Sequence, residues 1–152
     1  MLARELDAKV KRQGLFLDAL STLRNLQVFE GHYLGKTVEC FRCGGTWRTH
    51  EEKMTDVNIA TEILTDAFND HFDTAILISG DSDLVPPVLA VRQYFPGKKI
   101  VAAFPPSRTS EQLKRAVNAY FVIGEAKLRQ SQFPDYVKKS DGFTLVRPQE
   151  WR

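Results

Sequence analysis

The sequence predicts an α/β fold with a mainly parallel sheet, and three stretches predict it. Residues 74–83, TAILISGDSD, set the apolar run Ala75 to Ile78 between Asp73-Thr74 and Gly80. That is the pattern of a strand buried on both faces of a parallel sheet. Residues 99–104, KIVAAF, and residues 120–123 repeat the pattern, with helical periodicity between successive runs. Strand, helix, strand, helix, strand indicates βαβ units with right-handed crossovers.

The bulk properties narrow the class. A chain of 152 residues is enough for one domain with a real core. Hydrophobic content of 43% and charged content of 26% fit a soluble globular protein and exclude a disordered one. The net charge of +2 is too weak to argue for or against a nucleic-acid partner. No apolar run has the length that spans a bilayer. The opening MLARELDAKVKRQ has no apolar signal-peptide segment, and the chain carries only two cysteines. A reducing, cytoplasmic setting is the expectation.

Residues 2–24 read as an amphipathic helix, with Leu2, Leu6, Val10, Leu17, Leu20 and Leu23 at near-helical spacing and Gly14 as a weak point. An α/β domain usually opens with a strand, and this chain opens with a helix. Residues 25–34, NLQVFEGHYL, alternate like a strand bent at Gly31, and residues 36–39 read as a second short strand. Thr55 is placed to cap a helix that carries Val57, Ala60, Ile63, Leu64 and Ala67 as its apolar stripe. After the central strand, residues 84–94 read as a helix with Pro86 and Pro87 in its opening turn, stopped by Pro96-Gly97. Thr109 or Ser110 caps a short helix through Ala116. Residues 132–139 read as surface loop, and Asp141-Gly142 as a turn before FTLVRP. Residues 1–130 are expected to form the domain, with an insertion near 36–50, and residues 131–152 a C-terminal tail.

Chemistry is expected at the carboxyl edge of the sheet, where open α/β folds keep their sites. Asp81 and Asp83 stand just beyond the central strand, and Asp56 opens a helix. Helix chemistry alone accounts for one acid in a first turn. It accounts less well for two acids after a glycine. Carboxylates that converge repel one another unless a cation sits among them, and Mg²⁺ or Mn²⁺ is the hard ion that takes carboxylate oxygens and keeps its waters. Such an ion lowers the pKa of a bound water and holds phosphodiester charge in line for attack. Ser79 and Ser82 can donate to a phosphate oxygen or orient an acid. Arg108 and Ser110, at a helix start on the same edge, suit a phosphate contact. Arg92, Lys98, Lys114 and Arg115 either extend a basic rim or are solvated surface charges.

Cys40-Phe41-Arg42-Cys43-Gly44-Gly45 has the shape of a zinc knuckle. Only two cysteines are present, and His32 and His50 complete no standard four-ligand spacing. Zinc at Cys40 and Cys43, a redox pair, and a plain turn stay open. Trp47 reads as a packing anchor for this loop.

The segments EEKMTDVNIATEIL, FDTAILISGDSDLVPPV and SEQLKRAVNAYFVI, in that order and spacing, resemble the NYN domains of bacterial PIN-like proteins. The similarity runs from about residue 13 to residue 123, and the CxxCG…W…EEK insertion resembles that of one NYN subgroup. The resemblance implies a PIN-like three-layer α/β/α sandwich and a metal-dependent ribonuclease, with Asp56, Asp81 and Asp83 binding the metal. Such domains open with a strand bearing a D-G-x-N pattern, which this sequence does not contain. The expectation is therefore a sheet lacking its usual first strand and one metal ligand. A misplaced start codon, a truncated gene or replacement by a partner strand would each produce it. An exposed sheet edge further implies poor stability, self-association, or a partner chain covering that edge.

Two functions follow. One is a Mg²⁺- or Mn²⁺-dependent nuclease that hydrolyses RNA. The other is a catalytically impaired RNA-binding or protein-interaction module. A haloacid-dehalogenase-like phosphatase, whose D-x-D also follows an apolar strand, wants a threonine where Val85 stands.

Overall fold

The computed structural model describes residues 2–151, with side chains at residues 10–49 and 53–151. The chain forms two compact units by contact. One runs up to Val28 and resumes at Leu128; the other is Phe29–Lys127.

In the first unit, helix α1 (Leu2–Leu20) runs through Gly14 without interruption and stops short of residue 24. Phe16 on α1 meets Phe133 and Trp151 edge to face, each at 6.2 Å between ring centres. Edge-to-face pairs add to what area burial alone supplies.

The second unit begins with an antiparallel hairpin of β1 (His32–Glu39) and β2 (Thr46–Lys53), in the register His32↔Lys53 through Glu39↔Thr46. Of the expected bent strand at 25–34 only residues 32–34 are strand; residues 25–31 lack regular structure, and residues 32–39 form one continuous β1. β2 was not anticipated. Its sequence, TWRTHEEK, is polar on both faces apart from Trp47, so period-2 hydrophobicity could not announce it. Nearly all of β1 is exposed, as are Tyr33, Leu34 and Trp47.

Helix α2 (Thr55–Phe68) follows. Met54, in the left-handed region at φ 80°, occupies the cap position, so Thr55 is the first helical residue rather than the cap. Of the expected stripe, Ala67 is buried and Ala60, Ile63 and Leu64 are half-buried, but Val57 is exposed.

Three parallel strands make the sheet, in the order β3 (Thr74–Leu77), β4 (Lys99–Phe104), β5 (Ala119–Val122). Thr74 pairs with Lys99, and Val101 pairs with Ala119. A 3₁₀ turn (Ser82–Leu84) leads into α3 (Val85–Tyr94), with prolines in its first turn. Helix α4 (Glu111–Ala116) is capped by Ser110, whose Oγ accepts the Leu113 N–H at 3.2 Å.

The core lies on one face of this sheet. Leu77, Ile100, Ala102 and Phe104 from the strands pack with Ala67, Leu84, Val88, Val91, Leu113 and Ala116 from the helical elements. Phe104, Leu84, Ile100 and Leu113 are fully buried, and each such side chain contributes about 1.5–3 kcal/mol. The strand around residue 76 is not buried on both faces as its apolar run suggested. Leu77 faces the core, whereas Ile76 and Ile78 are 62% and 64% exposed, and β3 pairs on one side only among the described residues. A continuous apolar run reports burial only where something covers both faces.

Beyond Gly124 the chain is more regular than expected. α5 (Glu125–Gln130) is followed by an antiparallel hairpin of β6 (Tyr136–Lys138) and β7 (Thr144–Val146), so part of the expected 132–139 loop is strand. Leu145 is its buried residue, and the turn at Asp141-Gly142 falls where the sequence put it, with Gly142 at φ 89°. Among the described residues no helix is long and apolar enough to cross a membrane.

Candidate active site at the sheet edge

The loop leaving β3 builds the site from local hydrogen bonds. The Asp81 N–H donates to Ser79 Oγ at 3.1 Å, and the Asp81 carboxylate accepts the Asp83 N–H at 3.0 Å. Asp81, in extended backbone at φ −89° and ψ 128°, thereby caps the 3₁₀ turn. One of its oxygens is committed, the other is available, and the Asp83 side chain is exposed.

Gly80 fixes where this loop sits. A Cβ there would lie 2.7 Å from the Arg108 carbonyl oxygen and 3.1 Å from its carbon. Only a residue without a side chain lets the two backbones pass that closely. The acid loop after β3 therefore rests directly on the loop after β4, at the carboxyl ends of adjacent parallel strands. That second loop turns at Ser107, φ 60°, and its Arg108 N–H donates to the Pro105 carbonyl at 3.2 Å. The Arg108 side chain is exposed, and Ser110 starts α4 immediately after. Asn118 ties the far end of this crossover down. Its Oδ1 accepts the Ile100 N–H and its N–H donates to the Ile100 carbonyl, both at 2.9 Å.

Asp56 sits in the first turn of α2 with an exposed side chain. Among the described residues no three of His, Cys, Asp or Glu form a group that could hold a metal ion. Asp56, Asp81 and Asp83 are thus not gathered as a ready three-carboxylate cage, and the loop itself brings together Ser79, Asp81 and Asp83. That donor set still suits Mg²⁺ or Mn²⁺, which bind through one or two carboxylates and keep several waters for substrate oxygens to replace.

The basic rim is mostly engaged elsewhere. Arg92 donates to the Ala116 carbonyl at 2.6 Å, across the end of α4. Lys98 is buried, and its Nζ lies 2.5 Å from Asp70 Oδ1 and 2.7 Å from the Phe72 carbonyl. Lys114 pairs with Glu111 at 2.6 Å and lies over the Phe104 and Tyr120 rings. The Glu111 hydrogen bond raises the Lys114 pKa, and the Lys114 bond and charge lower that of Glu111. Sequence reasoning missed the bracing by Gly80, Asn118 and Arg92. Gly80 had a visible signal, a small residue directly before paired acids. The other two contacts cross the fold and had none.

A search of curated proteins gives no match. Among solved structures, the chain is similar to a protein of unknown function, VPA0982, from Vibrio parahaemolyticus RIMD 2210633, at 23% identity and a TM-score of 0.42. The similarity covers 68% of this chain and 51% of that one, so the chain spans about half the length of the solved protein. The family model of the NYN domain matches residues 12–145. With that match over most of its length, the chain belongs to the NYN domain family of the PIN-like nuclease superfamily.

Proposed function

We propose that the chain is a metal-dependent ribonuclease domain whose active centre is the Ser79–Asp83 loop. The observation that carries this is the pair Asp81 and Asp83, held by the loop's own hydrogen bonds and pressed through Gly80 against the Arg108 backbone. NYN domains are generally metal-dependent and typically bind RNA, which supports the choice of ion and substrate. A PIN-like three-layer sandwich would put α2, α3 and α4 in one layer and the sheet in the next.

In this reading Asp81 and Asp83 would hold Mg²⁺ or Mn²⁺, and Asp56 on α2, which forms no three-acid group with them in this structure, would act as a third acid through the ion's waters. When bound, the ion supplies charge neutralisation at the scissile phosphate and a more acidic water. The protein's part is to orient and to position. Ser79 fixes Asp81 by accepting its N–H, and its hydroxyl proton remains able to donate to a phosphate oxygen. Ser82, in the 3₁₀ turn, lies beside both acids. Arg108, exposed on the neighbouring loop, offers a planar fork to a backbone phosphate. Ser110 serves chiefly as the α4 cap, so its contact to nucleic acid would use only the hydroxyl proton.

Labelled single-stranded RNA, incubated with the protein and Mn²⁺ or with EDTA, tests the reading. Cutting that requires the metal is the expected result. RNA bound but uncut in Mn²⁺ by a folded sample would replace it with the binding-module alternative.

A further inference from the structure

Zinc, redox and plain-turn readings of the CxxC turn stay open in the sequence, and the acid loop makes no use of it. It lies at the tip of the β1–β2 hairpin. The Cys40 N–H donates to the Gly45 carbonyl and the Gly44 N–H to the Cys40 carbonyl, both at 2.8 Å. Gly44 takes φ 66°, and a Cβ at Gly45 would come within 3.3 Å of Cys43 Sγ. Two successive glycines therefore close the turn while leaving the second sulfur unobstructed.

The first sulfur is also prepared. The backbone N–H groups of Arg42 and Cys43, and the Cys43 thiol, donate to Cys40 and hold its pKa below the usual thiol value. Cys43 is exposed beside it.

The histidines of this hairpin stand too far from the cysteines to complete a site with them. His32 is paired with Lys53 at the far end of the ladder, and His50 with Gly35. At about 3.3 Å per residue those positions stand roughly 26 Å and 16 Å along the strand from Cys40. No acid or histidine joins the two cysteines in a group of three among the described residues. The tip therefore presents two preorganised sulfurs to solvent, half of a tetrahedral set. Phe41, between them, is fully exposed, and Trp47 behind the tip is half exposed. Large aromatic surface at the end of an arm is what a second molecule covers.

We propose that the hairpin tip is a zinc half-site and that two copies of this chain share one Zn²⁺ through Cys40 and Cys43 of each. Four thiols give up their protons to solvent, four Zn–S bonds form, and no electron moves. The site satisfies the four-sulfur preference of structural zinc and brings the two Phe41 side chains to one interface. It fastens a hairpin that, as an isolated two-stranded unit, gains little stability from itself. This proposal stands apart from the acid loop and does not depend on nuclease activity.

The test loads reduced full-length protein with Zn²⁺, removes the excess, and measures bound zinc together with mass by sedimentation. Cys40→Ser and Cys43→Ser go through the same steps. The expected result is one zinc for two chains and a dimer that chelation dissolves. Either serine variant loses both while keeping the circular dichroism and melting temperature of the zinc-free wild type. Co²⁺ in place of Zn²⁺ should give the intense visible absorption of a tetrahedral four-thiolate centre. Association through other surfaces survives chelation in all three proteins and is subtracted. One zinc on each monomer, no retained zinc, or zinc retained by both serine variants would each overturn the proposal.

Discussion

At the scale of single residues, Gly80 decides more than either acid beside it. Its missing side chain lets the Asp81 loop rest on the Arg108 carbonyl, and a Cβ 2.7 Å from backbone oxygen has no flexible neighbour to push aside. Gly80→Ala is expected to cost about 1–3 kcal/mol in urea denaturation and to lower RNA cleavage by displacing the acids. Asp70 offers a test that involves pH. Its hydrogen bond from Lys98, and then the Lys98 charge, hold its carboxyl below the ordinary value. A carboxylate whose folded pKa is depressed adds stability that is present above its unfolded value and lost as pH falls through its folded one. Asp70→Asn should therefore flatten the acid side of the stability–pH profile and leave stability below the carboxylate range nearly unchanged. Asn tolerates the φ of 60° found at this position, so the backbone is not the variable. Equal profiles for the two proteins would remove the pair from the account. Much at this scale was legible. The sequence offered Thr109 or Ser110 as a cap because short polar side chains act on their own backbone, and the structure gives the role to Ser110. Thr55 was misplaced as a cap because Met54 takes the left-handed position, which its side chain does nothing to advertise.

Among the elements, β4 and α3 were readable because each carries its period and its stop signal within itself. The lengths of β3 and β5 were read to within a residue, but the burial of β3 was not. Ile76 and Leu77 are both strongly apolar, and only the packing of neighbours tells that one faces the core and the other is exposed. β2 was invisible for the complementary reason, since its place depends on the ladder with β1 rather than on a buried face. These differences carry a prediction about helices. Leu113 on α4 is fully buried, so Leu113→Ala should cost about 2–5 kcal/mol. Val57, drawn into the same kind of stripe by periodicity, is exposed, and Val57→Ala should fall within about 0.5 kcal/mol of wild type. Urea midpoints of the two variants check the contrast, and similar losses would mean the core has been drawn on the wrong face.

Over the whole molecule, the parallel sheet followed from the alternation of strand and helix patterns, and the family match over residues 12–145 agrees with the family those patterns resembled. The grouping of α1 with the C-terminal hairpin in one compact unit was not legible. It rests on contacts such as Phe16 with Phe133 and Trp151, between residues more than a hundred positions apart, which no local window can see. The side of β3 that is unpaired among the described residues and the exposed Ile76, Ile78 and Phe121 predict that zinc-free protein associates as its concentration rises. Sedimentation at several concentrations reads this directly, and a single monomeric species throughout would count against it. The central claim is that the Ser79–Asp83 loop does the chemistry, and the rate of RNA cleavage by Asp81→Asn at saturating Mn²⁺ tests it most directly. Asparagine can still accept the Asp83 N–H, so the cap and the fold should survive while the ionic oxygen is lost. The account predicts a loss on the order of a hundredfold, equivalent to about 2.7 kcal/mol of barrier, with unchanged melting. Cleavage at the wild-type rate by that variant would contradict it.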